Sequence, residues 1–255
     1  VASLFPYFGG KSKLAKAIIG RMPVHSCYVE VFAGAANVLF AKDPSPTEIL
    51  NDLDRDLITV YRVVKHHPEE LHKQFKYCLV ARDEFSRQMM VNPDTLTDVQ
   101  RAARYLYLQK SCFGGKVRGR TFGTQTVGTP RLNFLTLEQA LQDAWIRLAQ
   151  VTIECLDFRV LIPRYDREHT LFFLDPPYWK IPGYKHDFEE QDFHDLVEVL
   201  AGIKGRFLMT LNDTPEIRKL FGRFTIEEVN LTYSMSRKEG SRSKQRTELL
   251  ITKKK

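Results

Sequence analysis

Apolar and polar positions along this chain change period several times, and the changes delimit its elements. Behind the glycines Gly9 and Gly10, residues 13–21 carry apolar positions at helical spacing. A short β-rich run follows at 27–32 (CYVEVF) and breaks at the small residues 33–36. A helix-like stretch continues to 41, and residues 48–50 form a strand leading into Asn51-Asp52-Leu53-Asp54. The middle third is helical in period: 57–65, then 68–79 with Pro68 in its first turn, then 98–109. Residues 112–130 are rich in Gly, Thr and cations and predict a long loop or hairpin. Thr136 and Gln139 have capping-box spacing ahead of a helix over 141–148. The last third returns to strands at 151–155, 170–174, 206–211, 224–233 and 248–252, with a helix over 190–202.

Strands alternating with helices at both ends of the chain predict an α/β fold with a mostly parallel sheet. The pattern places one sheet-forming domain at 1–54 and 151–255, interrupted by a mainly helical insert at 55–150. In such sheets a ligand binds beyond the carboxyl ends of the strands, and the chemical motifs fall at those ends.

Composition refines this picture. The chain has 255 residues, 43% of them hydrophobic and 27% charged, which excludes a wholly disordered polymer. Lys and Arg number 38 against 31 Asp and Glu, a formal charge of +7 that favours a polyanionic partner. No apolar run is long enough to span a bilayer, and residues 1–11 lack a signal-peptide pattern. Cys27, Cys78, Cys112 and Cys155 lie far apart with no C-x-x-C pair. They predict reduced thiols in a cytoplasmic protein and no metal site, and the histidines show no ligand spacing either.

Three segments carry candidate chemistry. Asp175-Pro176-Pro177-Tyr178 directly follows the apolar strand TLFFL. Its prolines fix the backbone, so an anionic Asp175 and the rigid Pro176 carbonyl can grip both hydrogens of an NH₂ group. Tyr178 offers a face for stacking a planar ring. The turn in VEVFAGAANVLF places Phe32 and Gly34 where backbone can approach a ligand at a helix N-terminus. The dinucleotide fingerprint is not met, because Ala36 stands in place of its second glycine. Asp52 ends the next strand, where a carboxylate can accept both ribose hydroxyls of a nucleoside. Gly10-Lys11-Ser12 is not a phosphate loop, since Phe5 occupies its first glycine position and no strand precedes it. Tyr7 and Lys11 suit the capping of a small ligand instead.

Together PYFGGK, EVFAGAANVLF, ILNDLD, the strand-borne DPPY, FLMTLNDTPEIRKLF and ELLIT resemble, in order, the Dam-like family of DNA adenine-N6 methyltransferases. YLYLQKSCFGGKVRGRTFG resembles that family's DNA-reading hairpin, particularly in phage- and prophage-type members. The resemblance implies a Rossmann-like methyltransferase sheet with helices on both faces and a target-recognition insert. It implies S-adenosylmethionine as cofactor, S-adenosylhomocysteine as product, and no metal. Tyr7 and Lys11 would contact the methionine and sulfonium end, Phe32 and Gly34 would line the pocket, and Asp52 would hold the ribose. Asp157 and Phe158 would meet the cofactor's adenine ring, and Asp175 would lie between cofactor and target. The acceptor implied is adenine in double-stranded DNA, flipped from the helix onto Tyr178. Lys116, Arg118 and Arg120 with Phe113 and Phe122, and a second cluster including Arg237 and Lys238, would grip the DNA. The expected unit is a monomer. Two other readings fit the same residues: transfer to another planar amine, such as RNA adenine, a cytosine amine or a protein amide, and a DNA-binding protein without catalysis.

Overall fold

The structure is a computed structural model describing residues 1–124, 132–232 and 245–254, with side chains of 230–232 and 245–246 left aside. Seven strands form one sheet: β1 (Cys27–Glu30), β2 (Thr47–Asn51), β3 (Val151–Glu154), β4 (Thr170–Leu174), β5 (Arg206–Asn212), β6 (Thr225–Thr232) and β7 (Gln245–Thr252). Their order is β3-β2-β1-β4-β5-β7-β6. The pairs among β1 to β5 are parallel, and β7 runs antiparallel between β5 and β6. Strand order therefore reverses between β1 and β4, which places a crevice at their carboxyl ends.

The helices are α1 (Ala15–Ile19), α2 (Asn37–Ala41), α3 (Arg55–His66), α4 (Pro68–Lys73), α5 (Arg82–Met90), α6 (Asp98–Ser111), α7 (Phe134–Leu148), α8 (Phe158–Tyr165), α9 (Glu190–Gly202) and α10 (Pro215–Leu220). Alternation along β4 shows how they divide. Leu171 and Phe173 join the core under α3, α6 and α7, while Phe172 and Leu174 join the core under α8 and α9. Both faces are covered, so TLFFL reads as a continuous apolar run rather than an alternating one.

Residues 55–150 are mainly helical, and Leu57, Tyr61, Leu106 and Leu141 share one core with Tyr28, Leu50 and Phe173 of the sheet. Two sequence expectations about helices change. Helix α7 starts at Phe134 rather than at a Thr136–Gln139 box, because the Asn133 side chain accepts from Leu135 N at 3.0 Å. Helix α8 has no counterpart in the sequence reading, since Pro163 interrupts its helical pattern. It forms nonetheless because Asp157 caps it and Phe158, Leu161 and Ile162 bury one face.

A buried ion cluster ties α7 to the sheet. Arg147 donates to Glu48 (2.9 Å) and to the Leu39 carbonyl (3.1 Å), and Lys42 also pairs with Glu48. Replacing Arg147 with Met leaves Glu48 half-compensated in the interior. The expected cost is about 3 kcal/mol of unfolding free energy, read from urea denaturation; a change within about 0.5 kcal/mol would show the cluster to be energetically idle.

Candidate active site

A cleft open to solvent lies at the carboxyl ends of β1 to β4 and is lined by all three motif segments. Its walls include Tyr7, Lys11, Phe32, Gly34, Asp52, Asp157, Phe158 and Asp175. Phe32 and Asp175, 143 positions apart, thus line one cleft because the parallel strands β1 and β4 end on one edge.

At one end, Gly34 stands at φ +48°, and a Cβ there would fall 2.9 Å from the Tyr7 ring. Tyr61 donates its hydroxyl to the Gly34 carbonyl at 2.6 Å, and the Gly34 amide donates to Asp52 Oδ2 at 3.0 Å. Asp52 Oδ1 accepts from Asp54 N at 2.9 Å. Burial pushes the Asp52 carboxyl up to about 6, while these backbone donors oppose the shift. Ala36 adopts φ +51°, so the chain needs the left-handed turn even where glycine is missing.

The floor is aromatic. Phe32 lies 6.1 Å from Phe158 and 5.4 Å from Phe188, and Phe158 lies 5.6 Å from Phe188. Phe188 escaped the sequence reading because nothing local marks it within the irregular stretch before α9. Asp157 is engaged as the cap of α8 and pairs with Arg159 at 3.1 Å, which also reaches Asp192 and Asp195.

Asp175 also lines the cavity. Its Oδ1 accepts from Thr210 Oγ1 at 2.7 Å, and Lys11 Nζ lies 2.7 and 2.8 Å from the two carboxylate oxygens. Lys11 is buried, also donates to the Gly9 carbonyl at 2.7 Å, and sits 4.8 Å from the Tyr178 ring centroid. The structure therefore pairs Lys11 with Asp175 while keeping it on the cavity wall. Pro177 lines the cavity, but Pro176 and Tyr178 do not, and Lys11 covers the tyrosine. Asn212 secures the turn by accepting from Trp179 N (3.0 Å) and donating to Trp179 O (3.2 Å). Thr210 and Asn212 went unnoticed in the sequence; lone polar residues in the strand RFLMTLN were the available signal. Glu30 also borders the cavity. Burial pushes its carboxyl up to about 8, against hydrogen bonds from Tyr28 and Leu39.

The Gly-rich loop after α6 closes like a hairpin: Phe113 N donates to Thr121 O (2.8 Å) and Gly123 N to Ser111 O (2.8 Å). Lys116 and Phe113 are exposed, and Arg118 is exposed while paired with Asp187 at 2.8 Å. Phe122 instead packs on Phe85 with a centroid distance of 5.7 Å. Arg120 turns inward, donating to Gln109 Oε1 (3.0 Å) and stacking 5.1 Å from the Tyr105 ring, so it is a structural arginine rather than an outward grip. Arg237 and Lys238 lie outside the described residues. Among the described residues there is no cluster of three metal-ligating side chains, and no helix is long and apolar enough to cross a membrane.

The donor set fits S-adenosylmethionine. A half-buried carboxylate, Asp52, lines the cavity and can accept from ribose hydroxyls, an aromatic floor suits a purine, and Gly34 leaves room that a side chain would fill.

A family model described as "D12 class N6 adenine-specific DNA methyltransferase" matches residues 7–235. The DNA N-6-adenine-methyltransferase of Escherichia phage P1 is 27% identical over 94% of this chain, which spans only 34% of that relative's length. The type II methyltransferase M.MjaIII of Methanocaldococcus jannaschii is 27% identical over 98% of both chains. The DNA adenine methylase of Escherichia coli K12 is 25% identical over 92% of this chain and 90% of its own.

Proposed function

The chain belongs to the D12 class of N6 adenine-specific DNA methyltransferases, and from that premise we propose that it transfers a methyl group from S-adenosylmethionine to the exocyclic N6 amine of an adenine drawn out of double-stranded DNA. The observation that carries this reading is Asp175 on the wall of the cavity that also holds Asp52 and the phenylalanine floor. One pocket can thus hold a nucleoside at one end and present a carboxylate to an amine at the other.

S-adenosylmethionine, when bound, supplies a methyl group activated by its sulfonium. Asp52 accepts the ribose hydroxyls, and Phe32, Phe158 and Phe188 flank the purine. Asp175 Oδ1 is occupied by Thr210 and Lys11, whereas among the described residues Oδ2 holds the Lys11 bond at 2.8 Å alone and keeps a second lone pair. That lone pair accepts one hydrogen of the target amine. The bond localises the nitrogen lone pair, which otherwise delocalises into the ring, and stabilises the positive charge that develops on nitrogen during attack. The proton leaves afterwards to water, so no strong general base is required. Amine attack on the methyl carbon calls for neither a metal ion nor a covalent enzyme intermediate, and a monomer contains every group named.

An adenine inside the duplex cannot reach Asp175, so it must be extruded at a cost of a few kcal/mol. We assign DNA reading to the Gly-rich loop rather than to the whole of 55–150, whose helices serve the common core. Arg118 and Lys116 face solvent there, and Phe113 is 58% exposed at the base of the loop, an apolar ring free to fill the gap an extruded base leaves. Phe113→Ala should lower the methyl-transfer rate about 30-fold while changing duplex affinity less than about fivefold, a split expected of a residue acting in extrusion. Equal losses in rate and affinity would assign Phe113 to simple binding.

The reading is tested by incubating the protein with tritiated S-adenosylmethionine and unmethylated duplex, then identifying the labelled nucleoside. Label in N6-methyladenine is expected. Label in cytosine, in RNA alone, or none despite bound cofactor would overturn it.

A further inference from the structure

The segment Pro6–Lys11 forms a strap between the Gly-rich loop and the catalytic carboxylate. On one side it delivers Lys11 to Asp175. On the other it lies against the loop at backbone distance: Phe8 N donates to Gly115 O at 2.9 Å, and a Cβ on Gly115 would fall 2.9 Å from Pro6 C and Tyr7 N. Glycine is needed at 115 both for that approach and for its φ of +66°.

One side chain locks this junction. Gln109, near the end of α6, is fully buried, and its amide is fully used. Both hydrogens are donated, one to Pro6 O (2.9 Å) in the strap and one to Gly115 O (2.6 Å) in the loop. Its oxygen accepts from Arg120 Nη2 at 3.0 Å, further along the same loop. The rigid α6 thus holds the strap and the two ends of the loop tip through three bonds of one amide. A purely apolar side chain would serve for packing; a donor pair aimed at two carbonyls of different segments fixes their relative position.

We propose that Gln109 is a positioning residue that couples the seating of the Gly-rich loop on DNA to the placement of Lys11 against Asp175. The inference rests on the function proposed above. A shift of the loop as it meets DNA is carried by the Gln109 amide into the strap, and the strap ends at the carboxylate that receives the amine. Base delivery and carboxylate alignment are then set together.

The test is a double-mutant cycle on single-turnover methyl transfer to saturating duplex, using Gln109→Met, Phe113→Ala and the double variant. Gln109→Met keeps the side-chain length and removes all three bonds. Its transfer rate should fall about 100-fold, the scale of an ångström-level misplacement, with cofactor and duplex Kd changed less than about threefold. In the Gln109→Met background, Phe113→Ala should cost less than about threefold more, because the link is already broken. Should Gln109→Met fail to fold, Gln109→Asn, whose amide is too short to reach, replaces it in the same cycle. A rate within about twofold of wild type, losses that multiply, or a loss of cofactor affinity matching the loss of rate would overturn the proposal. Absence of any transfer by the wild-type protein would instead overturn the function on which it rests.

Discussion

Asp175→Asn should lower the methyl-transfer rate about 10³-fold, the scale of losing a preorganised group that meets developing charge. The substitution keeps the shape of the turn, and Thr210 can still donate to the remaining carbonyl oxygen. What it removes is the anion, and it sets an NH₂ group against both Lys11 and the incoming amine. Lys11 is buried and retains only the Gly9 carbonyl as an uncompromised partner. Loss of its counter-ion should therefore also reduce stability, by about 3 kcal/mol. Cofactor and duplex binding, measured below the unfolding transition, should stay within about fivefold of wild type, because neither depends on this carboxylate alone. A variant that kept transfer within about tenfold of wild type would remove Asp175 from the chemistry.

Asp52→Ala should raise the Kd for S-adenosylmethionine about 100-fold, the worth of two hydrogen bonds to a half-buried carboxylate. Duplex affinity measured without cofactor should not change, since Asp52 is assigned to the cofactor and not to the DNA. A pH profile gives a second, sharper check. Burial raises the Asp52 carboxyl from 3.8 to about 6. Ribose hydroxyls require its ionised form, so cofactor affinity should fall by up to about tenfold per unit as pH drops below 6, and Asp52→Asn should flatten that profile. The stability of the ligand-free protein should move the other way. Its folded state holds the proton more tightly than the unfolded state, so this group's contribution declines as pH rises between 3.8 and about 6. A cofactor Kd indifferent to pH over that interval would assign the ribose to another group.

Much of the fold was legible because its strands are short apolar runs ending in conspicuous residues. TLFFL before Asp175 and EIL before Asn51 needed only local pattern to be placed at strand ends, and parallel order then brought them to one edge. What stayed hidden depends on distance or on direction. Lys11 and Asp175 are 164 positions apart, so spacing could not reveal that they neutralise each other. Phe188 joins Phe32 and Phe158 only through the path of an irregular segment. Arg118 and Arg120 look equivalent in KVRGRT, yet one faces solvent and the other stacks inward on Tyr105, a choice made by Gln109 and the glycine between them. The helices of 55–150 looked like an insert because their composition differs from the strands around them. Composition does not report which surface an amphipathic helix covers, and here α3, α6 and α7 cover the sheet itself.

The central claim is that Asp175 accepts the amine of an adenine taken out of the duplex, opposite a cofactor held by Asp52. A crystal structure of the protein with S-adenosylhomocysteine and a duplex containing its target tests it most directly, through the distance from adenine N6 to the nearest Asp175 oxygen. The expected result is an extruded adenine with that distance near 3 Å, within hydrogen-bonding range, and Lys11 still on the same carboxylate. An adenine left stacked in the helix, or an extruded one lodged away from Asp175 while Lys11 alone holds both of its oxygens, would contradict it.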